Sequence, residues 1–471
     1  MKKIKSVFVC SACLFLVLCT GFTKASAVSI PQEKKIADKF MAMIKKRQVI
    51  LKDPIVNHMV RRVGSLILAS VPSQPFPYTF YVIDSNVFNA FASPGANIFV
   101  YRGLITSLDS IDELAGILAH EIAHAVSRHV SQAIDRSKYI GIGSFAGMLA
   151  GAILGGASGH GGGLTLMKGS IALGQTAMLA FTRDNETQAD EKGIMFLKRT
   201  CFSPEGLLTG LLKIRASDYR GIEAIPDYMK THPGTGSRIA HVETILSNYT
   251  PSPDKPVCKE DFRFDMVKYR LVGLYSDMDS GFALLSEKLK HDPSDAALHY
   301  GMGLMYTRKL MMKKAMAQFE KALSINIFDP MILLEMGKLY LVDQEPQKAL
   351  NVLKGLDSDP VVGIMAKYYI ARSCLALGQL SRADSLFREI MDTHPDLYPK
   401  TCYYIAKILS IKKKQGLSHY YLGLYYFKTN NPSTAVIHLK KALDRLKDKS
   451  DIKKAQTLLH TLEKSHTGNP Q

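Results

Sequence analysis

The chain has 471 residues and a formal charge of +18, with 46% apolar and 22% charged residues. That length is worth about three domains, and the apolar share suffices for sizeable cores, which excludes a chain too polar to fold. A basic balance of this size points to anionic partners: nucleic acid, an anionic membrane surface or acidic proteins.

Residues 1–27 narrow that choice. Lys2, Lys3 and Lys5 precede an apolar run from Ser6 to Phe22, and Ala25-Ser26-Ala27 supplies small residues for cleavage, so the segment reads as a secretory signal peptide. Leu18 precedes Cys19 where a lipid-attachment box wants a small residue, which argues against a lipoprotein. The leader takes four lysines (Lys24 is the fourth) and no acids with it, so the mature chain keeps +14 of the +18. Export excludes nucleic acid as a partner. The lysines of Lys412-Lys413-Lys414 and of Lys440 to Lys454 fall on segments with helical patterning. There they read as solvated faces, or as a weak attraction to anionic lipid or lipopolysaccharide and hence a peripheral membrane contact.

From residue 31 to 70 apolar residues recur at helical spacing, as in Ile36, Phe40, Ile44 and Val56, Met59, Val60, Val63, Leu66, which predicts two or three amphipathic helices. Pro72 to Pro77 ends them. Tyr78 to Ile83 and Asn97 to Tyr101 are β-branched and aromatic enough for strands, with Asn89 to Ala92 as a third between them.

The chemistry begins at His120-Glu121-Ile122-Ala123-His124, an H-E-x-x-H run inside an apolar-periodic segment, Asp112 to Val130, that reads as one buried helix. Residues four apart share a helix face, so His120 and His124 can present two imidazoles to one zinc ion with Glu121 beside it. A catalytic zinc needs neutral nitrogens, an anionic oxygen and one open position for water. A carboxylate next to that water is placed as general base, which is the role of Glu121.

Tyr139 to Ala157 carries no charge and is just long enough to cross a bilayer, but its glycines lower its hydrophobicity, which favours a lid or membrane-touching segment over a span. His160, in Gly159 to Gly163, reads as a loop residue. Arg183 to Gly193 then offers a third ligand, Glu186, and one turn on Asp190, which can accept the outer N–H of a ligand histidine. An acidic run of this kind is also what a solvated helix face looks like. Lys198 to Tyr228 reads as helical, Thr231-His232-Pro233 as a loop, and 246–261, with Pro251, Pro253 and Pro256, as a linker.

Beyond the linker the sequence repeats. Gly303, Tyr306, Ala315, Phe319, Ala322 recur as Gly337, Tyr340, Ala349, Leu353, Leu356 and as Ala371, Cys374, Ala383, Phe387, Ile390, each displaced by 34 residues. A fourth copy, Gly423, Tyr426, Ala435, Leu439, Ala442, follows an 18-residue insertion with room for a helix around Tyr403 to Lys414, and 262–293 reads as a degenerate opening unit. That is the tetratricopeptide pattern, and such repeats stack into a solenoid that binds other proteins or serves as a rigid spacer. Cys201, Cys258, Cys374 and Cys402 remain after export, with three full disulfide connectivities open, and Cys374 falls where a repeat buries an inert core thiol.

HEIAH followed some sixty residues later by E-x-x-A-D-x-x-G resembles the zinc metallopeptidase clan that includes HtpX and the CAAX prenyl proteases. Within it the chain is most similar to the periplasmic β-barrel assembly-enhancing proteases. Asn89 to Gly95 ahead of Ile98 to Leu104, Arg128-His129, and Thr231-His232-Pro233 with Arg238 carry the likeness further. One departure is Gly95-Ala96, where the family usually has two glycines after the proline. The resemblance implies a mainly α fold: a zincin-like metallopeptidase domain with a small β-sheet, then an α-solenoid of tetratricopeptide repeats. It divides the chain into a signal peptide at 1–27, the metallopeptidase at 28–250, a linker at 251–261 and the repeats at 262–471. It implies one Zn2+ per chain on His120, His124 and Glu186, catalysis by Glu121 supported by Asp190, and substrate held by backbone pairing at Asn89 and Ala90. His232 would be a fourth ligand that silences the enzyme or a donor to the transition-state oxyanion, with Arg238 a candidate for the same charge. Expected partners are unfolded or misassembled envelope proteins and an outer-membrane assembly machine, in the periplasm. The rival is a chaperone or assembly factor whose protease is usually latent.

Overall fold

The structure, a computed structural model, describes residues 28–47, 49–136, 182–218, 228, 231–259, 262–395 and 397–467. The segment 1–27 expected to be a signal peptide, the Tyr139–Ala157 stretch and His160 lie outside these residues. The chain divides into two compact units. One comprises residues up to Leu51 with Val56–Lys268, the other Lys52–Ile55 with the chain from Tyr269 onward.

In the first unit α1 (Ile30–Lys46) starts at Ser29, whose hydroxyl caps Gln32 in a reciprocal capping box. Its Ile36, Phe40 and Ile44 are buried together against Phe91, Phe99 and Tyr101. The helix α2 (Pro54–Leu68) buries Val56, Met59, Val60 and Val63 as the periodicity demands, but Ile67 and not Leu66 completes the stripe. Three strands follow, β1 (Thr79–Ile83), β2 (Ala90–Ser93) and β3 (Asn97–Tyr101), in the order β1-β3-β2. β3 pairs parallel with β1 and antiparallel with β2, so β2 is an edge. The β2–β3 turn needs left-handed backbone at two successive residues, Gly95 (φ 76°) and Ala96 (φ 58°). A second glycine is therefore the natural occupant, and Ala96 holds that conformation at a cost of roughly 1–2 kcal/mol.

Five helices complete the described part of this unit after the short α3 (Arg102–Ser107): α4 (Ile111–Val126), α5 (His129–Arg136), α6 (Arg183–Lys198), α7 (Glu205–Asp218) and α8 (Thr235–Ser247). The single helix expected from Asp112 to Val130 is two. Arg128 turns left-handed at φ 52° and is held there by Glu33, with Nη2 2.6 Å from its Oε2, and by the carbonyl of Val28. The stretch expected to be helical over Lys198–Tyr228 turns at Arg199–Pro204 and is helical from Glu205 to Asp218, while 219–227 lies outside the described residues. A Cys201–Cys258 disulfide ties that turn to the proline-rich segment after α8 and settles one pairing that spacing left open.

The second unit is a run of helical hairpins: α9 (Phe264–Tyr275) with α10 (Met278–His291), α11 (Ala296–Arg308) with α12 (Met312–Ile325), α13 (Pro330–Val342) with α14 (Pro346–Leu353), and α15 (Gly363–Ala376) with α16 (Leu380–Thr393). The inserted helix is α17 (Lys400–Ile411), followed by α18 (Gln415–Lys428), α19 (Pro432–Leu443) and α20 (Lys449–Thr467). The repeat positions fall as their period requires. Ala315, Phe319 and Ala322, then Ala383, Phe387 and Ile390, then Ala435, Leu439 and Ala442 are all fully buried. Leu356 departs: α14 stops at Leu353, Gly355 turns left-handed, and Leu356 sits half-exposed in a 3-10 turn. Five of the turns share one device. The second residue after the helix is left-handed at Leu310, Gln344, Gly378, Lys413 and Asn430, and the next N–H reaches back five residues, as from Met311 to Tyr306. Inside this unit the Arg270 guanidinium is buried between Asp53 (2.8 Å) and Glu335 (2.9 Å), with Tyr300 Oη at 2.7 Å. Among the described residues no helix is long and apolar enough to cross a membrane.

Candidate metal centre

The centre is built on α4. Ser110 caps its first turn, and from Leu114 to His124 every residue is buried. Two glycines let neighbouring helices come close enough. A Cβ on Gly116 would lie 2.4 Å from the Leu207 nitrogen of α7, and one on Gly193 of α6 would lie 3.2 Å from the His120 nitrogen. The second close approach brings the acidic face of α6 onto the histidines of α4. Thr182 and Asn185 form a capping box at the start of α6, so Glu186 and Asp190, four apart, point the same way and are fully buried. The acidic run is not a solvated face at these two positions.

Four donor atoms converge. His120 Nε2 and His124 Nε2 are 3.0 Å apart, and they lie 3.4 and 3.3 Å from the two Glu186 oxygens. His232 Nδ1 is 3.4 Å from His120 Nε2 and 3.2 Å from each Glu186 oxygen. Corners of a tetrahedron with zinc bond lengths of about 2.0–2.1 Å are roughly 3.3 Å apart, so this donor set fits such an ion. His120, His124, Glu186 and His232 could hold it.

The surroundings fit a dication as well. Glu121, Glu186 and Asp190 are buried in the same cluster as Arg238, three carboxyl groups to one guanidinium. Arg238 takes Asp190 in a fork, Nε to Oδ2 at 2.8 Å and Nη2 to Oδ1 at 2.7 Å, and its Nη1 lies 2.8 Å from Glu186 Oε2. Asp190 Oδ1 is also 2.8 Å from the Nδ1 of His120, the nitrogen turned away from the donor cluster. Burial works against ionising Glu186, yet His232, His124 and Arg238 outweigh it and hold its carboxyl well below the usual range. Burial and the Arg238 charge oppose a proton on His120, but Asp190 and Glu186 prevail and raise its pKa to about 9. The pocket attracts positive charge. Burial pushes the Glu121 carboxyl up, and neither of its oxygens has a hydrogen-bond partner among the described residues. An orphaned buried carboxylate beside the donors is what a bound water would satisfy.

The structure thus brings His120, His124, Glu186, Glu121, Asp190, His232 and Arg238 into one buried cluster. Asn89 and Ala90 stand apart at the start of β2, which packs against α4, and the Asn89 side chain accepts from the Ala90 N–H at 2.9 Å. Two participants carry no signal in the motif itself. Tyr228 stacks on His232 with ring centroids 4.4 Å apart. His129 meets the outer nitrogen of His124 at 2.9 Å, and only the break at Arg128, invisible to helical periodicity, turns it there.

Residues 51–246 match the profile of peptidase family M48. The chain is 26% identical over 324 residues to a β-barrel assembly-enhancing protease of Yersinia pestis, covering 69% of this chain and 64% of that one. It is 26% identical over 363 residues to the protein of that name in Escherichia coli (strain K12), covering 74% and 72%. It is 30% identical over 187 residues to the mitochondrial metalloendopeptidase OMA1 of Schizosaccharomyces pombe, covering 40% and 52%. The chain therefore spans about two thirds of the length of the two bacterial relatives.

Proposed function

We propose that this metallopeptidase, similar over 69–74% of its length to β-barrel assembly-enhancing proteases, is a zinc endopeptidase of the cell envelope acting on misassembled outer-membrane proteins. The observation that carries the reading is the convergence of one donor atom each from His120, His124, Glu186 and His232 within 4.8 Å of one another, with Glu121 beside them, its oxygens without a hydrogen-bond partner among the described residues. Zn2+ on His120, His124 and Glu186 would supply Lewis acidity and an acidified water. Glu121 takes the proton of the attacking water and passes it to the leaving amine. Asp190 holds the outer nitrogen of His120, and Arg238 clamps Asp190 and Glu186 so that both carboxylates keep their angles. Arg238 is also the candidate to stabilise the carbonyl oxygen as it becomes anionic. Among the described residues β2 is the edge strand of the sheet and packs against α4, and an extended substrate would pair along it near Asn89 and Ala90.

His232 supports the second reading, of a protease kept latent within an assembly factor. It occupies the fourth corner, where the open position of a working site belongs, so substrate enters only when the loop carrying it moves. The helical hairpins recruit envelope proteins or the outer-membrane assembly machinery, in the periplasm. Two measurements test the site. Metal analysis of the purified mature protein is expected to give one zinc per chain, lost in Glu186→Ala. A Glu121→Gln protein that still restores outer-membrane protein assembly in a deletion strain as well as the parent would remove proteolysis from its main function.

A further inference from the structure

We propose that His129 is a positioning residue for the metal site: it accepts the outer N–H of His124 and, through its own N–H to Gln188, fixes both rings so that His124 Nε2 faces the ion. The inference rests on the zinc reading above and assigns a residue that reading does not use.

The geometry carries it. The Nε2 of His124 lies among the donors, 3.0 Å from His120 Nε2 and 3.3 Å from Glu186 Oε1. Its other nitrogen, Nδ1, faces His129 Nδ1 at 2.9 Å. A neutral histidine that gives one nitrogen to a metal carries its proton on the other, so His124 Nδ1 is the donor and His129 Nδ1 the acceptor. The proton of His129 then sits on Nε2, which lies 2.9 Å from Gln188 Oε1, an atom that can only accept. Each nitrogen along the line His124, His129, Gln188 has one role consistent with the next.

His129 is not itself a ligand. An H-E-x-x-H-x-x-x-x-H reading would add it to the set, but it is absent from the converging donors and meets the side of His124 turned away from them. In an unbroken helix, five residues on is about 140° round the axis from His124. The left-handed Arg128 removes that offset, and Glu33 holds the turn. His129 is 1% exposed, so water does not replace it at the His124 N–H. The two ligand histidines are thereby held differently, His120 by a carboxylate and His124 by a neutral ring that leads out to the surface at Gln188.

The test is zinc affinity of the purified full-length protein, measured by competition with a chromogenic chelator, for His129→Phe, His129→Asn and Gln188→Ala. Phe keeps the ring volume and removes the acceptor. Asn puts an amide oxygen where Nδ1 was. Phe is expected to weaken zinc binding about 10–100-fold, the usual loss for such outer partners, with Asn restoring it to near the parent value and Gln188→Ala losing less than Phe. Melting in excess chelator separates binding from folding. Parent-like zinc affinity in the Phe variant overturns the proposal, as does an Asn variant as weak as Phe when both melt like the parent. A Phe variant that melts early without metal and regains parent affinity per folded molecule makes His129 a packing residue and overturns it too. Should the parent itself bind no zinc, the proposed function falls first and this assignment with it.

Discussion

Glu121 and His232 share one buried space, with His232 Nε2 3.6 Å from Glu121 Oε1, and removing each should do opposite things. Glu121→Gln keeps the volume and the ligands but cannot take a proton. Peptide hydrolysis is expected to fall about 10²–10⁴-fold with the zinc content unchanged. His232→Ala opens the fourth corner, and hydrolysis of an unfolded reporter is expected to rise while one zinc per chain remains. A fall in both activity and zinc would show that His232 is needed to retain the ion. His120 gives a pH signature in chelated protein. Its pKa is raised from 6.5 to about 9 in the fold, so its proton stabilises the folded state fully below pH 6.5 and that contribution is lost as pH rises through 9. The melting temperature of metal-free protein should therefore drop over that window. Zinc should abolish the drop, because the ion takes the place of the proton.

Helix packing sets the centre's dimensions. Gly116 touches backbone of α7, which cannot step aside as a flexible side chain could. Alanine there gains about 1 kcal/mol of helix propensity but overpacks the contact, so Gly116→Ala is expected to destabilise by about 1–3 kcal/mol net in denaturant unfolding. In the second unit the repeat glycines Gly303, Gly337 and Gly423 each lie under the large apolar residue sixteen positions on, Phe319, Leu353 and Leu439. That packing explains why a small residue and a large one recur at that spacing. Arg270 follows a different rule. It is buried between two carboxylates, and Arg270→Met leaves Asp53 and Glu335 facing each other in the core, which is expected to cost about 3–5 kcal/mol.

At the scale of the whole chain, the Cys201–Cys258 bridge closes a loop of sequence separation 57 around α7 and α8, and its removal by Cys201→Ser is expected to cost about 2–4 kcal/mol of stability. Cys374 and Cys402 are buried and unbridged, and burial pushes both thiols up, so they should resist thiol reagents until the chain unfolds. What the sequence by itself determined is whatever is periodic or local. The stripe of α1, the three strands, the 34-residue step of the hairpins and the pairing of His120 with His124 on one face all follow from side chains a fixed number of residues apart on a regular backbone. Tertiary structure alone decided the rest, because those facts depend on groups far apart in the chain or on a residue leaving the regular backbone. Such are the burial of Glu186 and Asp190 against α4, the clamp of Arg238, the fourth corner at His232, the choice of cysteine partners, and the left-handed Arg128 that delivers His129 to His124.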